Sequence, residues 1–204
     1  MDISSAHSRR YYLRMNYLVL AFTLLFTQSI FAQRIVVDHH QATEAYELLN
    51  KIRTNPERYK KELKLFNLQK IKRTKLNWNK ELAEVAVYRA KDMAKRSYFD
   101  HVSPEGYGPN YFIDEAGYQL NPTWLSKRNA NNFESIAANR SSATAGIKAL
   151  IIGKEAPGYH HRTHLLGMDQ WNASLYDVGI GYVECKGAKP YESYLVVIIA
   201  KHDW

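Results

Sequence analysis

Residues 177–200, DVGIGYVECKGAKPYESYLVVIIA, decide the fold class of this chain. In their first part, from Asp177 to Cys185, the side chains alternate in polarity enough to predict a strand. Its two glycines, Gly179 and Gly181, indicate that another backbone approaches closely. The apolar run from Ser193 to Ala200 predicts a second strand that is covered on both faces. A turn at 187–190 joins the two strands, so the segment predicts a buried antiparallel hairpin.

The chain before this hairpin repeats its apolar residues at helical spacing. Helices are predicted over 41–53, 80–97 and 142–152, with a shorter one over 110–116. Asn79 is the expected N-cap of the second helix, whose apolar stripe runs from Leu82 to Ala94. The pair Asn55-Pro56 ends the first helix and can open another through Lys64. Helices followed by a buried hairpin predict an α+β domain in which a small antiparallel sheet is flanked by helices.

The composition is that of one globular domain. The chain has 204 residues, 46% of them hydrophobic and 24% charged, which excludes a multi-span membrane protein. A formal net charge of +8 permits binding to an anionic surface without identifying one, and no nucleic acid partner is expected. The single cysteine, Cys185, excludes an intramolecular disulfide. We expect a monomer.

Residues 1–32 predict a secretory signal peptide. An apolar run over 17–32 follows three arginines, Arg9, Arg10 and Arg14. The run is too short and too interrupted for a membrane span. Cleavage after Ala32 would leave a domain at 33–204 without a transmembrane span; an uncleaved anchor helix is the alternative. An exported chain with one cysteine favours a bacterial protein, secreted or held in the periplasm or cell envelope.

Histidines and one carboxylate supply the candidate chemistry. His160, His161 and His164 lie close together, His101 follows the second helix, and Glu134 lies in the segment FESIAAN at 133–139. Such residues suit a divalent metal site or acid–base chemistry, although HExxH, paired CxxC, GxGxxG and GxSxG motifs are absent. On a helix, His160 and His164 share a face, so local spacing favours this pair as ligands. Surface histidines near a helix end are an equally weighted alternative.

The order of these segments resembles the CAP superfamily (cysteine-rich secretory proteins, antigen 5 and pathogenesis-related proteins, also called SCP domains), in its disulfide-poor bacterial branch. The resemblance spans roughly residues 45–202. It is carried by LLNKIR at 48–53 with Asn55-Pro56, LNWN at 76–79, FDHVSPEG at 99–106, FESIAAN at 133–139, HHRTHLL at 160–166 and DVGIGY at 177–182.

The resemblance implies an α-β-α sandwich with a cavity that two histidines and two acidic residues line, and that in many members holds a divalent cation such as zinc or magnesium. His101 is similar to the first cavity histidine and Glu134 to the first cavity glutamate. The following Arg162 and Thr163 align His161, and neither His160 nor His164, with the second histidine. Glu155 is the carboxylate nearest to the second acidic position.

Three functions follow from this reading. The first is a secreted or envelope CAP-domain protein that binds a lipid or cell-surface component at the His/Glu cavity together with a divalent metal; a glycan or peptide ligand is also open. The second is a metal-assisted hydrolase acting on peptide bonds, although Ser103 and Ser135 have no nucleophile motif around them. The third is an interaction module with a vestigial cavity, which would bind through the basic stretch 60–75.

Overall fold

A computed structural model describes residues 34–153 and 157–202 of the chain. The predicted signal peptide at 1–32 and the candidate ligand Glu155 lie outside the described residues, so both stay predictions. Among the helices that the structure describes, none combines the length and apolar character that crossing a bilayer requires.

The described chain forms seven α-helices and five strands. The helices are α1 (His39–Thr54), α2 (Pro56–Tyr59), α3 (Lys80–Arg96), α4 (Pro109–Glu115), α5 (Ala143–Ile152), α6 (His160–Leu166) and α7 (Gln170–Ala173). The strands are β1 (Val36–Val37), β2 (Asn77–Trp78), β3 (Glu134–Ala138), β4 (Asp177–Glu184) and β5 (Ser193–Ala200). Short 3-10 turns lie at Leu68–Lys70, Pro122–Leu125 and Pro157–Tyr159.

The sheet is built on the predicted hairpin. Strands β4 and β5 pair antiparallel along their whole length, from Asp177 opposite Ala200 to Glu184 opposite Ser193. The strand order is β1-β4-β5-β3, with β3 antiparallel to β5 and the short β2 parallel to β4. All eight residues of β5 are buried, which confirms that this strand is covered on both faces.

Helices cover the two faces of this sheet and make an α-β-α sandwich. Helix α3 lies so close to β4 that a Cβ added at Gly179 would come within 2.5 Å of the Leu82 carbonyl oxygen. On the opposite face, Gly146 of α5 lies against the side chain of Leu195 in β5. The α+β class with flanking helices is therefore confirmed, and the predicted close backbone approach at Gly179 is explained by α3.

Most of the predicted helices are present with boundaries within two residues. Asn79 caps α3 as expected, since its Oδ1 accepts the backbone N–H of Leu82 at 2.8 Å. The helix that opens at Pro56 is shorter than predicted, because it ends at Tyr59. The FESIAAN segment, to which the sequence pattern assigned no secondary structure, forms the edge strand β3.

The basic stretch 60–75 is a largely exposed loop with one 3-10 turn. Its exposed lysines are Lys60, Lys61, Lys64, Lys70, Lys72 and Lys75. Arg73 in the same stretch forms a surface ion pair with Glu57. The stretch is thus a solvated connection between α2 and β2.

Candidate functional site

The candidate site is assembled around the edge strand β3. Consecutive side chains of a strand point to opposite faces of the sheet, and Glu134 and Ser135 are the first two residues of β3. Glu134 is paired with Ile198 across the ladder and faces α3, whereas Ser135 faces the histidines of α6. One short strand therefore supplies a carboxylate to one layer and a hydroxyl to the other.

Glu134 is held by an arginine of the helix layer. Arg89 of α3 donates from Nε to Glu134 Oε2 at 3.1 Å and from Nη2 to Oε1 at 3.4 Å. Neither side chain has any exposed surface. The carboxylate of Glu134 is thus neutralised inside the protein by a guanidinium, with a geometry that fixes its orientation.

Arg89 also fastens the loop that carries His101. Its Nη2 donates to the carbonyl oxygens of Asp100 and His101 at 3.0 and 2.8 Å, and Nη1 donates to the hydroxyl of Tyr98 at 3.0 Å. Burial by itself lowers the pKa of Arg89, but the charges and hydrogen bonds of Glu134 and, to a lesser extent, Tyr98 together outweigh it, so the pKa lies above its usual value. Arg89 therefore connects α3 to both the loop and β3 through its charge and its hydrogen bonds.

The first candidate histidine is oriented by the same carboxylate. His101 Nδ1 lies 2.9 Å from Glu134 Oε1. Because an ionised carboxylate only accepts hydrogen bonds, Nδ1 carries the proton in this contact. About a third of the His101 side chain is exposed, so the ring stands at the mouth of the site with Nε2 as its second nitrogen.

The second candidate histidine is linked to a buried one through a serine. Ser135 Oγ lies 3.0 Å from His161 Nδ1 and 2.8 Å from His164 Nδ1. His161 is partly exposed, whereas His164 is only 8% exposed. The hydroxyl of Ser135 therefore joins a histidine at the surface of the site to one in the core.

Burial dominates the protonation of His164. It lowers the pKa of this residue to about 4, and an interaction with the backbone of Ile199 offsets only part of that effect. His164 Nε2 makes no hydrogen bond of good geometry to the described residues. His164 is consequently neutral at physiological pH.

These groups open into a polar cavity of about 330 Å³. The ring centres of His101 and His161 lie 6.4 Å apart across it. The lining is mostly polar: His101, Asn131, Asn132, Glu134, Ser135, His160, His161, Thr163, His164, Asp169, Trp171 and Asn172. Larger hollows of about 520 and 740 Å³ lie between α1 and α3 and beside the β4–β5 turn, but neither contains this cluster of histidines.

The structure brings three of the four predicted site residues together. His101, Glu134 and His161 line one cavity, and Glu155 lies outside the described residues. His160, which local spacing paired with His164, is exposed at the start of α6. Since α6 runs from the surface into the core, His164 is buried while His160 is not.

Sequence reasoning did not identify Arg89 or the bridging role of Ser135. The signal for Arg89 was present, because a charged residue interrupts the apolar stripe of α3 one turn after Val85 and one turn before Met93. A charge at such a position is buried and needs a partner. The serine carried no comparable signal, since its two partners lie 26 and 29 residues away in the chain.

The donor set can be compared with the needs of a metal ion. No group of three His, Cys, Asp or Glu side chains with a metal-binding arrangement occurs among residues 34–153 and 157–202. What the site offers is a pair of imidazoles whose Nδ1 atoms both have hydrogen-bond partners, with Glu134 and Ser135 respectively. This pattern matches the outer-shell support that metal-bound histidines receive, and it leaves Nε2 as the nitrogen through which each ring would bind a cation.

Comparison with known proteins identifies the family. The family model described as the cysteine-rich secretory protein family, CAP, matches residues 46–199. None of the curated proteins compared with the chain matches it.

Two solved structures match this chain. An extracellular protein containing an SCP domain from Bacillus anthracis is 23% identical, with a TM-score of 0.49 over 80% of this chain; the chain spans 41% of that protein. An outer surface protein from Borrelia burgdorferi is 14% identical, with a TM-score of 0.54 over 83% of this chain and 99% of that one. The likeness to the second protein supports the same sandwich fold.

Proposed function

Because this chain belongs to the cysteine-rich secretory protein (CAP) family, we propose that it is an exported ligand-binding domain whose site is the cavity over β3. In this proposal a divalent cation, held by His101 and His161, takes part in binding. The ligand is a lipid or cell-surface component that presents a polar head to the cavity. Export is supported by the apolar segment that ends at Ala32.

The observation that carries the proposal is the paired support of the two histidines. Glu134 accepts from His101 Nδ1, and Ser135 bonds His161 Nδ1, so both rings are oriented before any ligand arrives. Side chains fixed in this way lose little conformational entropy on binding a cation. Two oriented imidazoles, open to the cavity between them, are the core of a cation site.

The chemistry of the donors favours zinc over magnesium. Imidazole nitrogen suits borderline cations such as Zn²⁺, whereas Mg²⁺ prefers oxygen ligands and keeps its waters. Glu134, already bonded by Arg89, acts in this proposal as the acceptor that orients His101 and not as a ligand itself. A bound zinc ion would supply a positive charge for an oxygen atom of the ligand.

The rest of the lining supports a polar ligand group. Asn132 and Asn172 contribute amides, and Trp171 contributes the aromatic surface of the cavity. Trp171 is braced by an edge-to-face contact with Trp124, with 5.4 Å between the ring centres. A braced aromatic ring beside amides suits a ligand head that has both hydroxyl or anionic oxygens and a small apolar face.

Zinc titration of the purified chain by isothermal calorimetry tests the proposal. We expect binding that His101→Ala and His161→Ala each abolish, with magnesium binding more weakly than zinc. His160→Ala is the matched control, because this histidine borders the same cavity but is exposed, and it should leave affinity unchanged. Circular dichroism checks that the variants are folded. Zinc binding that is absent, or that survives both His101→Ala and His161→Ala, would overturn the proposal.

A further inference from the structure

We propose that Ser135 couples the tautomers of His161 and His164, so that the buried His164 positions the proton of the histidine at the cavity. His164 and Ser135 are then positioning residues for His161. The inference rests on the proposed function only for its consequence in cation binding. The coupling itself is a property of the protein without metal.

The coupling follows from the hydrogen-bonding capacity of one hydroxyl. Ser135 Oγ lies within hydrogen-bond distance of both Nδ1 atoms, 3.0 Å for His161 and 2.8 Å for His164. Among the described residues, these two rings are the hydrogen-bond partners of Ser135 Oγ, so its single proton goes to one Nδ1 and the other Nδ1 donates to the oxygen. When both rings are neutral, one Nδ1 therefore carries a proton and the other does not. The two histidines must have opposite tautomers.

The surroundings of the buried ring decide the direction. The backbone of Ile199 favours a proton on the His164 ring, and because Nδ1 is turned toward Ser135, we place that proton at Nε2. A neutral ring with its proton at Nε2 has an unprotonated Nδ1, which accepts the O–H of Ser135. Ser135 Oγ then accepts from His161 Nδ1–H. The chain of hydrogen bonds runs from His161 through Ser135 to His164.

This direction of the hydrogen bonds gives His161 the tautomer that can bind a cation. With its proton at Nδ1, a neutral His161 has its lone pair on Nε2, which is the form that binds metal. Glu134 produces the same form in His101, because a carboxylate can only accept from Nδ1. The two cavity histidines thus reach one tautomer by different means, one through a carboxylate and the other through a serine and a buried imidazole.

The burial of Ser135 strengthens the coupling between the tautomers of the two rings. Ser135 is 1% exposed and lies on a strand that is paired with β5, so its hydroxyl is shielded from bulk water that would offer alternative partners. His164 is buried as well, which keeps it neutral, so only one of its two ring nitrogens carries a proton. The hydroxyl of Ser135 thus bonds both rings at once.

The experiment is nitrogen-15 NMR of the imidazoles in the metal-free full chain near pH 7.5. We expect His164 to be protonated at Nε2 and His161 at Nδ1. In Ser135→Ala, the His161 signals should shift toward a mixture of tautomers, and zinc affinity should fall about tenfold or more, the usual effect of losing an outer-shell partner. Ser103→Ala is the matched control, because Ser103 is another buried serine, and it should change neither readout.

The outcomes separate this inference from the proposed function. Identical tautomers for His161 and His164 in the unaltered protein would overturn the coupling, whatever zinc does. Opposite tautomers without zinc binding would uphold the coupling and overturn the proposed function. The tautomer measurement needs no variant, so a poorly folded Ser135→Ala protein leaves the test intact.

Discussion

Arg89 and Glu134 form an ion pair that is entirely buried, with Nε 3.1 Å from Oε2 and no exposed surface on either side chain. The partners lie 45 residues apart, one on α3 and one on β3, so the pair ties a helix layer to the edge of the sheet. A buried ion pair adds little net stability compared with an apolar pair of the same shape. The loss of one partner, however, leaves a charge buried without compensation.

Arg89→Met should therefore be strongly destabilising. The variant leaves Glu134 charged in the core and removes the donors that hold the carbonyl oxygens of Asp100 and His101. We expect the free energy of unfolding to fall by about 3–5 kcal/mol, the range for breaking a buried pair. Urea denaturation followed by circular dichroism measures this change.

The double variant Arg89→Met with Glu134→Gln tests the cause. Removing the unpaired charge should recover part of the lost stability, which a mere packing defect at position 89 would not allow. The exposed pair of Lys51 with Glu47 supplies a control, since Lys51→Met should change stability little. A double variant that is no more stable than Arg89→Met would contradict the charge argument.

Gly181→Ala should prevent the normal packing of α3 on the sheet. A Cβ at this position would lie 2.6 Å from the carbonyl oxygen of Ala86, and the backbone of a helix cannot move aside as a side chain can. We expect a loss of at least about 3 kcal/mol in the free energy of unfolding, at the upper end of overpacking effects. Thermal and urea denaturation are the measurements.

Ile180→Val is the matched control on the same strand. This neighbour points to the opposite face of the sheet and is almost fully buried, so the loss of one methylene should reduce stability by only about 0.5–1.5 kcal/mol. If Gly181→Ala and Ile180→Val reduced the free energy of unfolding equally, the packing of α3 would not require a residue without Cβ at position 181.

The fold was predictable because its main elements carry strong local patterns. The unbroken apolar run of β5 and the stripe from Leu82 to Ala94 in α3 each depend on neighbouring residues alone. Strand β3 was not recognised from the sequence because two of its five residues, Glu134 and Ser135, are polar. Such a composition is not typical of a buried strand. Those residues are buried because each has a partner that is distant in sequence.

The grouping of His101, Glu134 and His161 around one cavity could be predicted from the family resemblance but not from local spacing. Helical spacing grouped His160 with His164, and the resemblance selected His161, whose ring stands opposite His101 in the cavity. Spacing shows which residues share a helix face, but it cannot show how deep each turn of the helix lies. Only the packing of α6 against the core reveals that depth.

Asn50 on α1 should be essential for attaching the segment before β2. Its amide pairs with both backbone groups of Leu76: Nδ2 donates to the carbonyl oxygen at 3.2 Å, and Oδ1 accepts the N–H at 2.8 Å. Asn50→Leu would keep the size of the side chain but leave the buried N–H without its acceptor. We expect a loss of about 2–4 kcal/mol in the free energy of unfolding.

Tyr46→Phe is the control for this prediction. Its hydroxyl donates to the same carbonyl oxygen of Leu76 at 3.1 Å, but Asn50 still serves that oxygen when the hydroxyl is removed. The loss should stay near about 1 kcal/mol, as for one ordinary hydrogen bond. A Tyr46→Phe protein as unstable as Asn50→Leu would show that the N–H of Leu76 is not the decisive group.

The buried His164 should make the stability of the protein dependent on pH. Its pKa in the folded protein is about 4, below the ordinary value of 6.5, because burial disfavours the charged ring. As the pH falls from 6.5 to 4, the unfolded chain binds a proton that the folded protein does not. The free energy of unfolding must therefore decrease over this window, by up to about 3 kcal/mol in total.

A comparison of variants isolates the contribution of His164. His164→Asn should be less stable than the unaltered protein at pH 7 but should lack its share of the decline between pH 6.5 and 4. His160→Ala should keep the full decline, because that histidine is exposed. Urea denaturation at several pH values gives the slopes, and the difference between the slopes cancels the titration of the carboxylates. If His164→Asn loses stability toward pH 4 as steeply as the unaltered protein does, the folded protein protonates His164 without penalty, and the neutral, buried ring on which Ser135 relies does not exist.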